Sequence, residues 1–146
     1  MAVGALIAAA VNAIPMALGG WSWYRWHPSR LFWVLLRIGQ GAAVLFALAV
    51  GVLAAAGHTS SERLFYLYAL LPLAVAFVAE QLRIASAQTI LDRRDLESAQ
   101  EVGRLPESEQ QVVVAAIVRR EQGIMTLSAL VVVFLLLRAA ETAHGI

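Results

Sequence analysis

Four long apolar segments, separated by shorter polar connections, organise this chain. Each is about as long as the 18 or more apolar residues that a helix needs to cross the hydrocarbon core of a bilayer. The pattern therefore predicts an all-α fold, an integral membrane four-helix bundle that forms a single domain over residues 1–146. The apolar segments cover residues 2–20, 31–57, 64–88 and 122–140.

The third connection has a helical pattern of its own. Gly103 suits a C-terminal cap and Pro106 suits the first turn of a new helix, so the chain is predicted to break between them. Helices 3 and 4 are then predicted over residues 64–102 and 107–140. They would extend into the cytoplasm as an antiparallel hairpin about 20 Å long, at 1.5 Å per residue. Its predicted apolar seam consists of Leu91, Leu96, Val102, Val113, Ile117 and Val118.

Opposite charges are predicted to face each other across the hairpin. If the chain reverses direction at residue 105, Asp92 lies level with Arg119 on the opposite helix, and Glu121 lies within one turn of Arg93. Exposed ion pairs contribute only about 0.2–1 kcal/mol each, so these contacts would indicate register more than stability. The mixed charges are typical of a solvated helix face, and docking of a partner is the alternative interpretation.

The composition supports a membrane location. The chain is 60% hydrophobic and 14% charged, with a mean hydropathy of +0.73, which is too apolar for a soluble domain of this size. It has no cysteine, which excludes disulfides and thiolate metal sites. All eleven basic residues are arginine. The net charge of +1 does not indicate a nucleic-acid partner.

The arginines predict the orientation of the bundle. Cytoplasmic loops are enriched in basic residues, and the first and third connections carry most of the arginines, whereas the second carries only Arg63. Both odd connections are therefore predicted to be cytoplasmic, with both termini outside. The first segment carries no charge before Arg25, so it is predicted to be a retained helix and not a signal peptide. Aromatic residues flank the first basic connection, as expected at headgroup depth: Trp21, Trp23, Tyr24, Trp26 and Trp33.

Polar residues interrupt the apolar segments at similar depths along the predicted membrane helices. If the helices run antiparallel, reflection through the connections places Gln40 level with Glu80, and Asn12 level with residues near 39. Glu80 shares a helix face with Ala69 and Ala76, so it is predicted to face the bundle interior. The predicted layer lies in the cytoplasmic third of the membrane and contains Asn12, Arg37, Gln40, Glu80, Gln81, Arg83 and Ser128.

An ionisable group at membrane depth is costly, and three interpretations of the polar layer remain open. In the first, Glu80 is the titrating carboxylate of a proton or ion relay and Arg37 is its counter-ion. In the second, Glu80 and Arg37 form a structural pair with amide partners, or the arginines extend to the nearby headgroups. In the third, Arg37 and Arg83 bind an acidic lipid headgroup.

Small residues recur at a spacing of four on the first two helices, where they allow close helix packing in lipid. They are Ala5, Ala9, Ala13 and Ala17 on the first helix, and Ala43, Ala47, Gly51 and Ala55 on the second.

The sequence contains no recognisable catalytic motif, so no enzyme activity, metal or cofactor is predicted. His27 is predicted on the opposite side of the membrane from His58 and His144, which argues against haem ligation. The leading hypothesis is an accessory or scaffold subunit that forms a homo-oligomer, or joins a larger membrane complex, through the hairpin and the small-residue faces. The alternative is a small proton- or ion-coupled transporter or channel that uses Glu80 and Arg37.

Overall fold

The computed structural model describes residues 1–145, which form five helices. Four of them are long and apolar enough to cross a membrane. They pack together, so the all-α bundle of four apolar helices predicted from the sequence is confirmed. The helices are α1 (Ala2–Tyr24), α2 (Arg30–Ala55), α3 (Arg63–Arg93), the short α4 (Ala99–Val102) and α5 (Glu107–Thr142).

The long helices do not contact one another equally. Helix α5 packs along both α1 and α3, and α1 also packs along α2. Helices α2 and α3 contact each other over a much smaller surface, so a groove remains between them. This groove is the position of the candidate site described below.

Small side chains fill the interior of the bundle. Alanines from α1, α2, α3 and α5 are buried around a few aromatic rings, among them Phe46 and Phe65. Large apolar side chains instead cover the outer surface, including Leu45, Phe77 and Phe134. This distribution is typical of helices packed in lipid, where close backbone approach replaces the hydrophobic effect as the source of association.

About half of the small residues predicted for self-association are used within the chain. Ala5 and Ala9 of α1 are buried, as are Ala43 and Ala47 of α2. Ala17, Gly51 and Ala55 are exposed, and Gly51 has no atom within 4 Å of an added Cβ. Because the buried alanines pack against α2, α3 and α5 of the same chain, they do not form a surface for a second chain.

The single helix predicted over residues 64–102 is observed as two helices. Helix α3 ends at Arg93, and the chain turns through Asp95, whose φ of 56° lies in the left-handed region that aspartate tolerates better than most residues. A continuous helix would carry Val102 about 16 Å beyond Leu91, out of reach of α5. The break returns Val102 to a buried cluster with Leu91 and Val113, which Leu96, Leu105 and Ile117 flank.

The opposite end of the bundle is closed by hydrogen bonds between the α2–α3 connection and the end of α5. Ser60 Oγ donates to the carbonyl of His144 at 3.0 Å, and the backbone N–H of Ser61 donates to the same carbonyl at 3.2 Å. The imidazole of His144 lies 3.3 Å from the carboxylate of Glu62. These contacts hold the end of α5 against the start of α3.

Candidate functional site

An ion cluster joins α2 to α3 at the groove between them. Arg37 Nη1 lies 2.5 Å from Glu80 Oε1, and Arg83 Nη2 lies 3.0 Å from Glu80 Oε2. Arg37 also donates to Gln40 Oε1 at 2.7 Å. Both carboxylate oxygens of Glu80 are therefore held by guanidinium groups, one from each helix.

The ion cluster is only partly sheltered. The side chains of Glu80 and Arg83 are 25% and 27% exposed, whereas that of Arg37 is 50% exposed. Arg83 also lies 5.5 Å from the centroid of the Trp33 ring, and its Nε is buried without a hydrogen-bond partner. Arg37 is therefore the cation of the cluster that is most accessible to a molecule outside the bundle.

A second carboxylate approaches the cluster from α5. Glu121 interacts electrostatically with Arg83 and with Glu80. With Arg37 included, the four groups carry formal charges that sum to zero. The sequence pattern predicts Glu121 within one turn of Arg93 in the hairpin, but the structure places it beside the ion cluster.

The other members of the predicted layer are held separately. Asn12 is 2% exposed, and its Nδ2 donates to the carbonyls of Ala8 and Gly39, each at 2.9 Å. This amide therefore ties α1 to the backbone of α2. Ser128 Oγ donates to a carbonyl of its own helix, and Gln81 lies on the exposed surface.

A cavity of about 260 Å³ extends from the ion cluster along the groove between α2 and α3. Glu80 and Gln40 line it together with Asn12 from α1 and Val132 from α5. The remaining lining is apolar and includes Pro72 and Ala76. The structure therefore places Asn12, Gln40 and Glu80 around one cavity, although Asn12 bonds none of the other layer residues.

The predicted charge contacts across the hairpin are not formed. Asp92 accepts a hydrogen bond from Gln88 Nε2 at 2.9 Å, one turn earlier in α3. Among the ion pairs of residues 1–145, none joins Asp92 to Arg119 or Arg93 to Glu121. The break after Arg93 shortens the first arm, which shifts the register on which these pairs depended.

Arg119 instead contacts the last turn of α1 and the first connection, a contact that the sequence does not predict. Its Nη1 donates to the carbonyl of Trp23 at 2.6 Å. Its guanidinium carbon lies 4.6 Å and 3.1 Å from the ring centroids of Trp23 and Trp26. Such contacts between arginine and indole rings are stabilising. The tryptophan cluster and the arginine were both visible in the sequence, but nothing local indicated that they meet.

A larger apolar groove lies beside this contact, on the part of α5 that precedes Arg119. It has a volume of about 750 Å³ and is lined by Trp23, Trp26, Val114 and Val118, among others. We call it the α5 groove.

Comparison of the chain with protein-family models, curated proteins and solved structures finds no match.

Proposed function

We propose that this chain is a multi-pass membrane protein that acts as an accessory or scaffold subunit, in a homo-oligomer or a larger membrane complex. Four helices of sufficient length and apolar character support the membrane location. The proposed contact surface is the α5 groove. This differs from the small-residue faces, in which Ala5, Ala9, Ala43 and Ala47 are buried within the chain.

The observation that carries the proposal is the uncovered side of α5. Residues 112–118 are all apolar, so this part of the helix has no polar face to present to water. The hairpin covers one side, at Val113 and Ile117, while Val112 and Val114 remain 55% and 51% exposed. Exposed apolar surfaces of this kind mark sites of interaction. Tryptophan and arginine at its edge, here Trp26 and Arg119, are residue types enriched among those that dominate binding energy.

The ion cluster supports a structural role for Glu80 over the transporter alternative. A proton carrier must release its partners when it titrates, whereas both oxygens of Glu80 are bound by arginines. The pair also bridges α2 and α3, whose contact with each other is small beside the contacts of α5 with α1 and α3.

A photo-crosslinking amino acid at residue 114 tests the accessory role. We expect a discrete protein crosslink in native membranes, either to a second copy of this chain or to another membrane protein. Its matched control is residue 130, an exposed leucine on the part of α5 predicted to face lipid. It should give no discrete protein product. Crosslinks to lipid alone at residue 114, with a monomeric mass in mild detergent, would contradict the proposal.

We also propose that the first and third connections are cytoplasmic, from the distribution of arginines. Reporter fusions after Arg30 and after Arg104 should both show cytoplasmic activity. A fusion after Ser60 should show activity on the outside. If the fusions after Arg30 and Ser60 report the same side, α2 does not cross the membrane as proposed.

A further inference from the structure

Three arginines surround an open cavity where the end of α3 lies beside α5. Its volume is about 480 Å³, and its lining consists of Ile90, Arg93, Arg94, Ala116 and Arg120. Ile90 and Ala116 supply the apolar surface. Within residues 1–145 the lining includes three arginines and no carboxylate, so its formal charge is +3. We call it the arginine cavity.

The guanidinium groups of the arginine cavity have no acidic partner in the part of the chain that the structure describes. The arginines that form ion pairs there are Arg37, Arg83 and Arg138. Those whose side chains donate hydrogen bonds are Arg37, Arg119 and Arg138. A guanidinium group has five N–H donors and no acceptor. The cavity therefore presents three sets of donors to a ligand.

The neighbouring carboxylates do not neutralise the arginine cavity. Asp92, Asp95 and Glu121 adjoin its arginines in sequence, but none of them lines the cavity or forms an ion pair with these arginines. Glu109 lies on a separate cavity and forms no such pair either. The position of Arg120 also has no explanation from a helix dipole, because this arginine lies in the interior of α5 and not in its last turn.

The arginine cavity lies at the proposed headgroup depth on the cytoplasmic side. Arg120 adjoins Arg119, whose guanidinium contacts two indole rings of the first connection and the last turn of α1. Tryptophans concentrate at membrane interfaces, so this contact marks the headgroup layer. Ala116 lies about 6 Å beyond Arg120 along α5. The headgroup layer is roughly 5–8 Å thick on each side of the hydrocarbon core, so the cavity spans this layer.

We propose that the arginine cavity binds the headgroup phosphate of an anionic phospholipid in the cytoplasmic leaflet. The planar fork of arginine matches the geometry of phosphate oxygens and forms paired hydrogen bonds with them. Basic pockets between helices on the cytoplasmic side are a known form of lipid headgroup site. The proposal rests on the membrane location and orientation proposed above. It does not rest on the accessory role, because it requires no second protein.

Native mass spectrometry of the detergent-solubilised chain, titrated with phosphatidylglycerol or with phosphatidylcholine, tests the proposal. The unaltered chain should bind phosphatidylglycerol more tightly. Arg120→Gln should lower that affinity about fivefold, since one arginine near an anionic lipid surface contributes roughly 1 kcal/mol. The matched control Arg104→Gln removes the same charge from an exposed residue of the hairpin that does not line the cavity. It should leave the affinity unchanged.

Replacement of all three arginines by glutamine should lower the affinity for phosphatidylglycerol roughly a hundredfold and remove the preference over phosphatidylcholine. All three side chains are exposed, so the variant should fold, which circular dichroism checks. Equal losses in Arg120→Gln and Arg104→Gln would show that binding follows net charge alone, and would overturn the proposal. Equal binding of both phospholipids by the unaltered chain would also overturn it, whatever the crosslink at residue 114 shows about the accessory role.

Discussion

Glu80→Gln is expected to destabilise the bundle more than Arg37→Gln does. Loss of the carboxylate removes the ion pairs of both arginines with Glu80 and leaves only Glu121 near Arg83, whereas loss of Arg37 leaves Glu80 bound to Arg83. Hydrogen bonds to charged groups contribute about 1.5–3 kcal/mol each, and the partial exposure of this cluster favours the lower end. Unfolding in detergent, followed by circular dichroism against temperature or denaturant, measures both losses.

The double variant separates an interacting pair from two independent contributions. If Glu80 and Arg37 stabilise each other, the combined loss should fall short of the sum of the single losses by about 1 kcal/mol. Gln81→Ala is the control, because Gln81 is exposed and adjacent in sequence. Strictly additive losses would argue against a coupled pair. A stable Glu80→Gln chain that has lost a pH-dependent flux would instead favour the relay.

Gly19→Ala is expected to lower the free energy of unfolding by about 1–3 kcal/mol, the usual cost of overpacking. A Cβ at this position would lie less than 3.0 Å from both Thr126 Oγ1 and the ring of Phe32. Phe32 is fully buried, so its ring cannot move aside without disturbing the core. Gly39→Ala should act similarly through Asn12, whose Oδ1 would lie 2.7 Å from the new methyl group.

Two other glycines provide matched controls. Gly41 and Gly51 lie in α2 and have no atom within 4 Å of an added Cβ. Alanine at these positions should therefore be neutral, or stabilising by up to about 1 kcal/mol, because it restricts the unfolded chain and favours helix. Equal effects at Gly19 and Gly41, measured by the same unfolding experiment, would mean that α1 does not approach α2 and α5 as closely as described.

Contacts between helices that depend only on helix register can be predicted from the sequence. Reflection through the first connection places Asn12 level with residue 39, and Asn12 bonds the carbonyl of Gly39. Reflection through the second places Gln40 level with Glu80, and Arg37 links the two. When antiparallel helices are joined by short connections, the position of each residue along the bundle axis is nearly fixed. The location of the connections therefore determines which residues can meet.

The structure outside the apolar segments is harder to predict from the sequence. The break after Arg93 has only Asp95 as a local signal, while Gly103 and Pro106 are stronger stop and start signals nearby. What decides the break is the burial of Val102 on Leu91 and Val113, which a local pattern does not reveal.

The partners of Arg119 and Glu121 were missed for a related reason. Both residues were assigned to a solvated hairpin face by their charge. Where each points depends on how α5 is rotated against α1 and α3. That rotation is set by packing across the whole bundle, including the contact between Arg119 and Trp23.

Helix α5 is a single helix of 36 residues and contains no proline, whereas α1 and α3 contain Pro15 and Pro72. At 1.5 Å per residue it is about 54 Å long, and it includes both the bundle contacts and the α5 groove. If a helix of that length rotates as a rigid rod by ten degrees about one end, its other end moves by roughly 9 Å. A partner that binds the α5 groove and tilts this end of α5 would therefore change how the rest of the helix packs against α1 and α3.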